Sequence, residues 1–292
     1  LNFNYMHAWL NSNIADSSLS YFTNTGRIDD DYRLLFLQKF LAIHSVEIQV
    51  MKGLNIAIGE SIIYSDKIDP GFLIPINLFK FYDNNRSNYL IEAGSNGQYF
   101  LSASSRNQIK NTHLYSTFFI DEIKVSAMLD KKESRNQLGF NLGGSITDIF
   151  IPYLTIGAEY TRVNPFVYSN LIPAQNYTNY NYSLGDWMGN NFDRAVIFAK
   201  YTPLSKLKLV GRYQKIRKGG SGTIYDQYNK QPQPTFLFDY VKTSTDIFLQ
   251  ARYEIINNVY IASSLNLKNS KLENNKIIND NTLQLSLNIG LL

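Results

Sequence analysis

From Thr282 to Leu292, the residues Leu283, Leu285, Leu287, Ile289 and Leu291 alternate with Gln284, Ser286, Asn288 and Gly290. A period of two sends the first set to one face of an extended strand and the second to the other. Val259–Lys268 repeats the pattern, with Val259, Ile261, Leu265 and Leu267 set against Tyr260, Ser264, Asn266 and Lys268. In Asp246–Ile255, Ile247, Leu249, Ala251, Tyr253 and Ile255 oppose Asp246, Gln250, Arg252 and Glu254. In Lys206–Tyr213, Leu207, Leu209 and Tyr213 oppose Lys206, Lys208 and Arg212. A face that stays small or polar along about ten residues, backed by an apolar one, is the pattern of a strand with lipid outside and a lumen inside.

The connections favour the same reading. Thr202–Ser205 and Ile256–Asn258 read as tight turns, whereas Val163–Asn191 and Arg217–Ser244 are long and Asn269–Asp280 is of medium length. Alternating short and long connections suit a membrane barrel, with short turns at the periplasmic end and long loops outside. Upstream, Lys52-Gly53 turns Leu41–Met51 into Leu54–Tyr64, and Asp148–Pro152 is a short turn. Gly94–Gly97 and Asp121-Glu122 carry turn signals. Ser105–Asn111 and Asp130–Asn136 read as outer loops, and Asn11–Lys39 and Ser65–Ser87 as long outer or inward-folded loops. The fold class expected is all-β: a transmembrane antiparallel up-and-down barrel. About 14 strands are readable, both chain ends lie on the periplasmic side, and residues 1–292 form a single domain.

Composition agrees. The chain has 292 residues, with 28 Lys+Arg against 24 Asp+Glu, and a formal charge of +4 is too small to mark the whole as a nucleic-acid binder. Mean hydropathy is −0.22, with no run of about 18 apolar residues that would make a membrane helix. Yet there are 21 Tyr and 18 Phe, a heavy aromatic load for so polar a chain. Leu1 opens it without an initiator Met or an apolar leader, so it reads as a mature or partial chain.

Signs of catalysis are few. There is no Cys, and His7, His44 and His113 are not at metal-ligand spacing. No Gly-x-Ser-x-Gly elbow occurs, and Lys218–Gly222 lacks the spacing of a phosphate-binding loop. We therefore expect no enzyme activity, no metal and no cofactor. His44 and His113 lie in strand-like runs and read as hydrogen-bonded structural residues.

Two features carry candidate function. The long loops are rich in aromatics among amides: Tyr177, Tyr180, Tyr182 and Trp187 in one, Tyr225 and Tyr228 in the other. Rings stack on the C–H faces of sugars and amides bond their hydroxyls, so these six residues are the candidate surface for a glycan or a partner. Interfacial anchoring of a barrel would give the same composition. The second feature is charge. If the apolar positions meet lipid, then Lys206, Lys208, Arg212, Arg252 and Lys268 face the lumen, where they would favour anions or pair with Asp246, Glu159 and Glu254.

Three stretches resemble a known family. Leu41–Tyr64 carries a His–Glu strand entering a Gly-Glu-x-x-x-Tyr strand, and Leu114–Ile123 a Leu-Tyr strand ending in Ile-Asp-Glu. Ser183–Arg217 carries a Leu-Gly-x-Trp-x-Gly-x-Asn loop feeding an Asp-Arg strand. These resemble the Wzi-like capsule-assembly outer-membrane proteins, in the style of the Bacteroidota, RemB-like gliding-motility branch. The resemblance implies an outer-membrane barrel of up to about 18 strands that holds capsular polysaccharide as a surface lectin. The family's N-terminal periplasmic helical bundle has no counterpart here. The branch implies an alternative, a structural subunit of a gliding-motility or type IX secretion complex, and porin-like transport is a third reading. The partners expected are outer-membrane lipid, surface polysaccharide or other outer-membrane proteins, and no nucleic acid.

Overall fold

The computed structural model describes residues 1–22, 32–87, 95–123, 136–230 and 232–290, with the side chains of residues 86 and 87 left aside. In chain order the strands are β1 (Asn2–Leu10), β2 (Tyr21–Phe22), β3 (Tyr32–Arg33), β4 (Lys39–Met51) and β5 (Leu54–Ser65). Helix α1 (Phe79–Ser87) precedes β6 (Ser95–Arg106), β7 (Thr112–Glu122), β8 (Gln137–Thr147) and β9 (Leu154–Val163). Then follow the short β10 (Thr178–Asn179) and β11 (Tyr182–Ser183), β12 (Phe192–Leu204) and β13 (Leu207–Lys218). Helix α2 (Ile224–Asn229) leads to β14 (Lys242–Ile256), β15 (Val259–Leu272) and β16 (Ile277–Ile289).

Twelve of these strands form one antiparallel sheet in the order β1-β4-β5-β6-β7-β8-β9-β12-β13-β14-β15-β16, while β2–β3 and β10–β11 are two-residue pairs within connections. Every neighbour in the large sheet follows its predecessor along the chain, which is an up-and-down meander. Strands β1 and β16 are its edges and do not pair with each other. The sheet is therefore open, and closure into a barrel is not part of this structure.

The registers place side chains on two faces, because directly paired residues point the same way. Leu285, Ser263, Ala251, Leu209, Tyr201 and Leu154 form one such row across five hairpin partners. This is the apolar face. Its neighbour row, from Ser286 through Ala262 and Arg252 to Lys208, lies on the polar face. Leu283 and Leu285 are each 75% exposed, with Leu287 and Ile289 close behind, so none of the described residues covers them.

The polar face receives the long connections: Tyr177 clusters with Leu41 of β4 and Ile63 of β5, and its ring lies 5.8 Å from that of Phe119 on β7.

Several expectations are corrected. Asp121 and Glu122 are not a turn, since β7 runs through them. Ser95, Asn96 and Gly97 belong to β6, with Gly94 outside the described residues. The expected outer loop Ser105–Asn111 is instead the end of β6 and a turn over residues 107–111 at the short-connection end, because β6 and β7 form one hairpin there. Residues 130–135 of the expected Asp130–Asn136 loop, and Leu291 of the last strand, also lie outside the described residues. Asn269–Asp280 is mostly strand, as β15 and β16 extend to a four-residue connection. Lys206 sits in the turn before β13, not in the strand. The turn at Lys52-Gly53 holds, and Gly53 is required: its φ is +82°, and a Cβ there would come within 2.3 Å of the Arg106 carbonyl oxygen. Both described ends lie at the short-turn end, where Asn2 pairs with Glu47 and Ile289 with Val259.

Candidate functional site: the plugged long-loop end

The long connection between β9 and β12 folds across the polar face. At its base Val163, Val167 and Phe192 pack with Phe119, Tyr168 and Met188. Farther along, Tyr177 packs on Leu41 and Ile63, joined by Ala8, Leu10 and Leu184. Polar contacts hold it at both ends. The Tyr168 N–H donates to Asp121 at 2.6 Å, and the Lys39 ammonium donates to the Asn176 carbonyl at 2.6 Å and to the Thr178 hydroxyl at 3.1 Å. The Tyr180 N–H reaches the Asn11 carbonyl at 2.6 Å, and the Asn11 N–H donates to the Asn179 side chain at 2.8 Å. One connection thus bridges β12 and the β1–β4 edge region over the interior.

The connection between β13 and β14 joins it. Asn191 is fully buried between the two. Its amide donates to the carbonyls of Gly220 (2.7 Å) and Phe238 (3.1 Å), and its oxygen accepts from the Leu237 N–H (2.7 Å). Helix α2 begins at a capping box, with Thr223 and Asp226 satisfying each other's backbone N–H groups. The helix then crosses to the β7–β8 rim, where the Tyr228 hydroxyl donates to Glu122 at 2.8 Å and the amides of Gln227 and Gln137 meet at 2.7 Å.

The family-like motifs turn out to be the anchors of this end. In the Ile-Asp-Glu piece, Asp121 holds the first plug loop and Glu122 the second. In the Leu-Gly-x-Trp-x-Gly-x-Asn piece, Asn191 clamps the two together. In the Asp-Arg pair, Arg194 points inward to Glu159 (3.3 Å) and Asp186 (3.8 Å), while Asp193 points outward to Arg217 and the Tyr160 hydroxyl (3.0 Å).

The third motif serves a different element. His44, Glu60 and Tyr64 lie on the apolar face of β4 and β5. There Phe40, Ala42, Ile62 and Tyr64 pack with Phe72 and Phe79 of the connection before β6. Glu60 accepts the Phe79 N–H at 2.5 Å, a carboxylate set on the N-terminus of α1, and His44 Nε2 lies 3.1 Å from Glu60. His44 Nδ1 contacts the Pro75 carbonyl oxygen at 2.8 Å, so both ring nitrogens have partners. The described residues include no cluster of three His, Asp or Glu side chains that could hold a metal.

The candidate aromatic residues divide. Tyr182 and Trp187 are 78% and 69% exposed, and Tyr180 and Tyr225 are also exposed. Tyr177 is buried in the plug, and Tyr228 is tied to Glu122. Tyr180 sits at the tip of the β10–β11 pair with φ +53°, a left-handed conformation uncommon for a bulky residue, and its N–H bond to the carbonyl of Asn11, just after β1, fixes it there. Burial raises the phenol of Tyr168 to about 12. The basic candidates Lys208, Arg212, Arg252 and Lys268 do lie on the polar face. Arg212 pairs with Asp246 at 3.1 Å, and the Arg252 guanidinium covers the Tyr260 ring at 3.3 Å. Sequence reasoning passed over Lys39, Asp121 and Asn191 as site residues. A carboxylate or amide within a strand-like run is the signal that could have found them, since a buried polar side chain must have a partner.

No family model matches the chain, and no curated protein matches it. Among solved structures, Wzi, an outer-membrane protein involved in group 1 capsule assembly in Escherichia coli and described as a carbohydrate-binding β-barrel, superimposes with a TM-score of 0.53 at 11% identity. The match covers 92% of this chain and 54% of Wzi. The outer-membrane channel DcaP of Acinetobacter baumannii gives a TM-score of 0.47 at 11% identity, covering 98% of this chain and 71% of that one. The chain spans about half the length of Wzi. The RemB-like branch has no counterpart in these likenesses. What the chain shares with Wzi is the fold, the antiparallel up-and-down sheet of an outer-membrane β-barrel protein.

Proposed function

We propose that this chain belongs to the wall and outer plug of a non-enzymatic bacterial outer-membrane barrel, Wzi-like in role, that binds surface polysaccharide through its outer loops. The observation that carries the reading is the β9–β12 connection. It packs onto the polar face, and its far side presents Tyr180, Tyr182 and Trp187 to solvent. A loop that served only to cover the lumen would bury its aromatics, as it does Tyr177. Exposed rings on a braced backbone instead offer contact area at low entropic cost. The description of Wzi as carbohydrate-binding supports the same role in capsule assembly.

The membrane placement has its own support. On β14–β16 the apolar face is bare over about seven to nine residues per strand, roughly 20–26 Å along it. Tyr213 and Tyr160 border that band toward the long loops, and Tyr253 and Phe150 toward the short turns, as in the aromatic girdles of barrels.

The chain has two Trp, Trp9 and Trp187. In a Trp9→Phe background, titration with purified bacterial capsular polysaccharides should shift Trp187 emission, and Tyr180→Ala should weaken the binding at least fivefold with heat-modifiability kept. Unchanged binding in Tyr180→Ala and Trp187→Ala variants sinks the glycan surface. Steady conductance in planar bilayers would favour transport instead. Loss of copurifying outer-membrane proteins in those variants, without glycan binding, would favour the gliding or secretion complex.

A further inference from the structure

Above the bare apolar band, the outward face changes character within two residues. One hydrogen-bonded register row reads Arg162, Asp193, Arg217, Thr243 and Lys271 across β9, β12, β13, β14 and β15. The row below it, nearer the band, contributes Tyr160, Ala195, Lys215, Thr245 and Asn269. Below that come Ala158, Ile197, Tyr213, Ile247 and Leu267, the upper edge of the apolar band. Four cations therefore sit in two adjacent rows at the boundary, against Asp193 and, at the upper end, Glu273.

Their partners inside the protein are few. Arg217 pairs with Asp193, and the Arg162 guanidinium stacks on Phe236 at 3.8 Å. Lys215 and Lys271 are exposed and pair with no acid among the described residues. Beside Lys271 opens a shallow groove of about 500 Å³, lined by Thr243, Thr245, Asn269, Lys271, Tyr240 and Glu273, with Lys215 on the neighbouring strand paired to Thr245. The inward lysine of the same strand behaves differently: the Lys218 ammonium is taken up by the Asn190 carbonyl. Unpaired cations, hydroxyls and an amide thus lie directly above the apolar band.

We propose that this outward groove and cation row dock the phosphorylated sugar headgroup of an outer-leaflet glycolipid. Acyl chains would lie along Ile197, Tyr213, Ile247 and Leu267. Phosphate would meet Lys215, Arg217 and Lys271, and sugar hydroxyls would meet Thr243, Thr245 and Asn269. A headgroup phosphate lies at the hydrocarbon boundary, which is where these two rows are. The inference rests on the membrane reading above, but not on glycan binding by the plug loops.

The test uses purified protein in dodecylmaltoside and lipid A bearing two phosphates, with bound lipid counted by native mass spectrometry. Each surface cation contributes about fivefold in affinity for an anionic lipid surface. Lys215→Gln with Lys271→Gln, neither of them in an ion pair, should therefore bind about 25-fold more weakly. Adding Arg217→Gln should lower binding further. Dephosphorylated lipid A should bind wild type no better than phosphorylated lipid A binds the double variant. Inorganic phosphate at the same concentration should not compete. Wild-type affinity in the double variant, or equal binding of phosphorylated and dephosphorylated lipid A, overturns the docking site. Heat-modifiable migration is read on the same samples. A protein that stays heat-modifiable but shows no phosphate preference loses only this site, whereas one soluble without detergent and not heat-modifiable loses the membrane reading itself.

Discussion

Two regions of the sheet carry the same alternation and meet opposite surroundings. On β4 and β5, the outward positions Phe40, Ala42, Ile62 and Tyr64 are at most 2% exposed, because the segment with Phe72 and Phe79 packs over them. On β16, the outward Leu283, Leu285, Leu287 and Ile289 are bare. A period of two states which face is apolar and says nothing about what covers it. At β4–β5 the cover is the protein's own chain, held by Glu60 at the N-terminus of α1 and by His44. Gly97 admits it, since a Cβ there would come within 3.0 Å of the Lys80 side chain. At β14–β16 none of the described residues covers the apolar face, and in the proposed reading the cover is lipid.

The largest effect is expected where chain covers chain. Phe72→Ala removes a fully buried ring from the outward cluster and should cost about 3–5 kcal/mol. It should be visible as earlier loss of the compact, heat-modifiable form. A small change would mean that the 66–87 segment is a passive cover.

Next comes the bare region. Leu285→Arg, in the middle row of the band, should impair membrane insertion by about 2–4 kcal/mol, as for a cation at the lipid midplane, while Ser286→Arg on the polar face should be tolerated. Equal effects would erase the difference between the two regions.

A smaller effect is expected at the plug. Asn191→Ala leaves two carbonyls and one N–H without their buried partner and should cost about 1–3 kcal/mol. Limited proteolysis of the two long connections should accelerate while the strands stay protected. Uniform proteolysis of the sheet would show that the plug and wall unfold together.

The smallest effect is silent at neutral pH. Burial holds the Tyr168 phenol protonated up to about 12, against the usual 10. Its contribution to stability is complete below pH 10 and is lost as pH rises toward 12. Wild type should lose protease resistance in the plug over that window, and Tyr168→Phe should flatten the loss.

The four C-terminal strands were legible because each presents a lipid-type face over most of its length. Over Asn269–Asp280 the strand signal is missing because just above the band both faces carry polar residues and alternation lapses: Asn269 pairs with Asn279 and Lys268 with Asp280. Asp121-Glu122 and Ser95–Gly97 mimic turns for a related reason. Their polar and glycine residues receive the plug and α1, contacts made by distant segments that no local pattern announces. The aromatic loops were found as candidates, but not the division between buried Tyr177 and exposed Trp187, which depends on which side of the plug each residue lies.

The central claim is that the outward face of β14–β16 meets lipid. The chain has no cysteine, so single Cys variants at each position from 283 to 289 can carry a spin label without background. In reconstituted membranes, collision with oxygen should peak at 283, 285, 287 and 289, and collision with a water-soluble nickel complex should peak at 284, 286 and 288. A profile without that two-residue period, or one with the phases exchanged, would contradict the account.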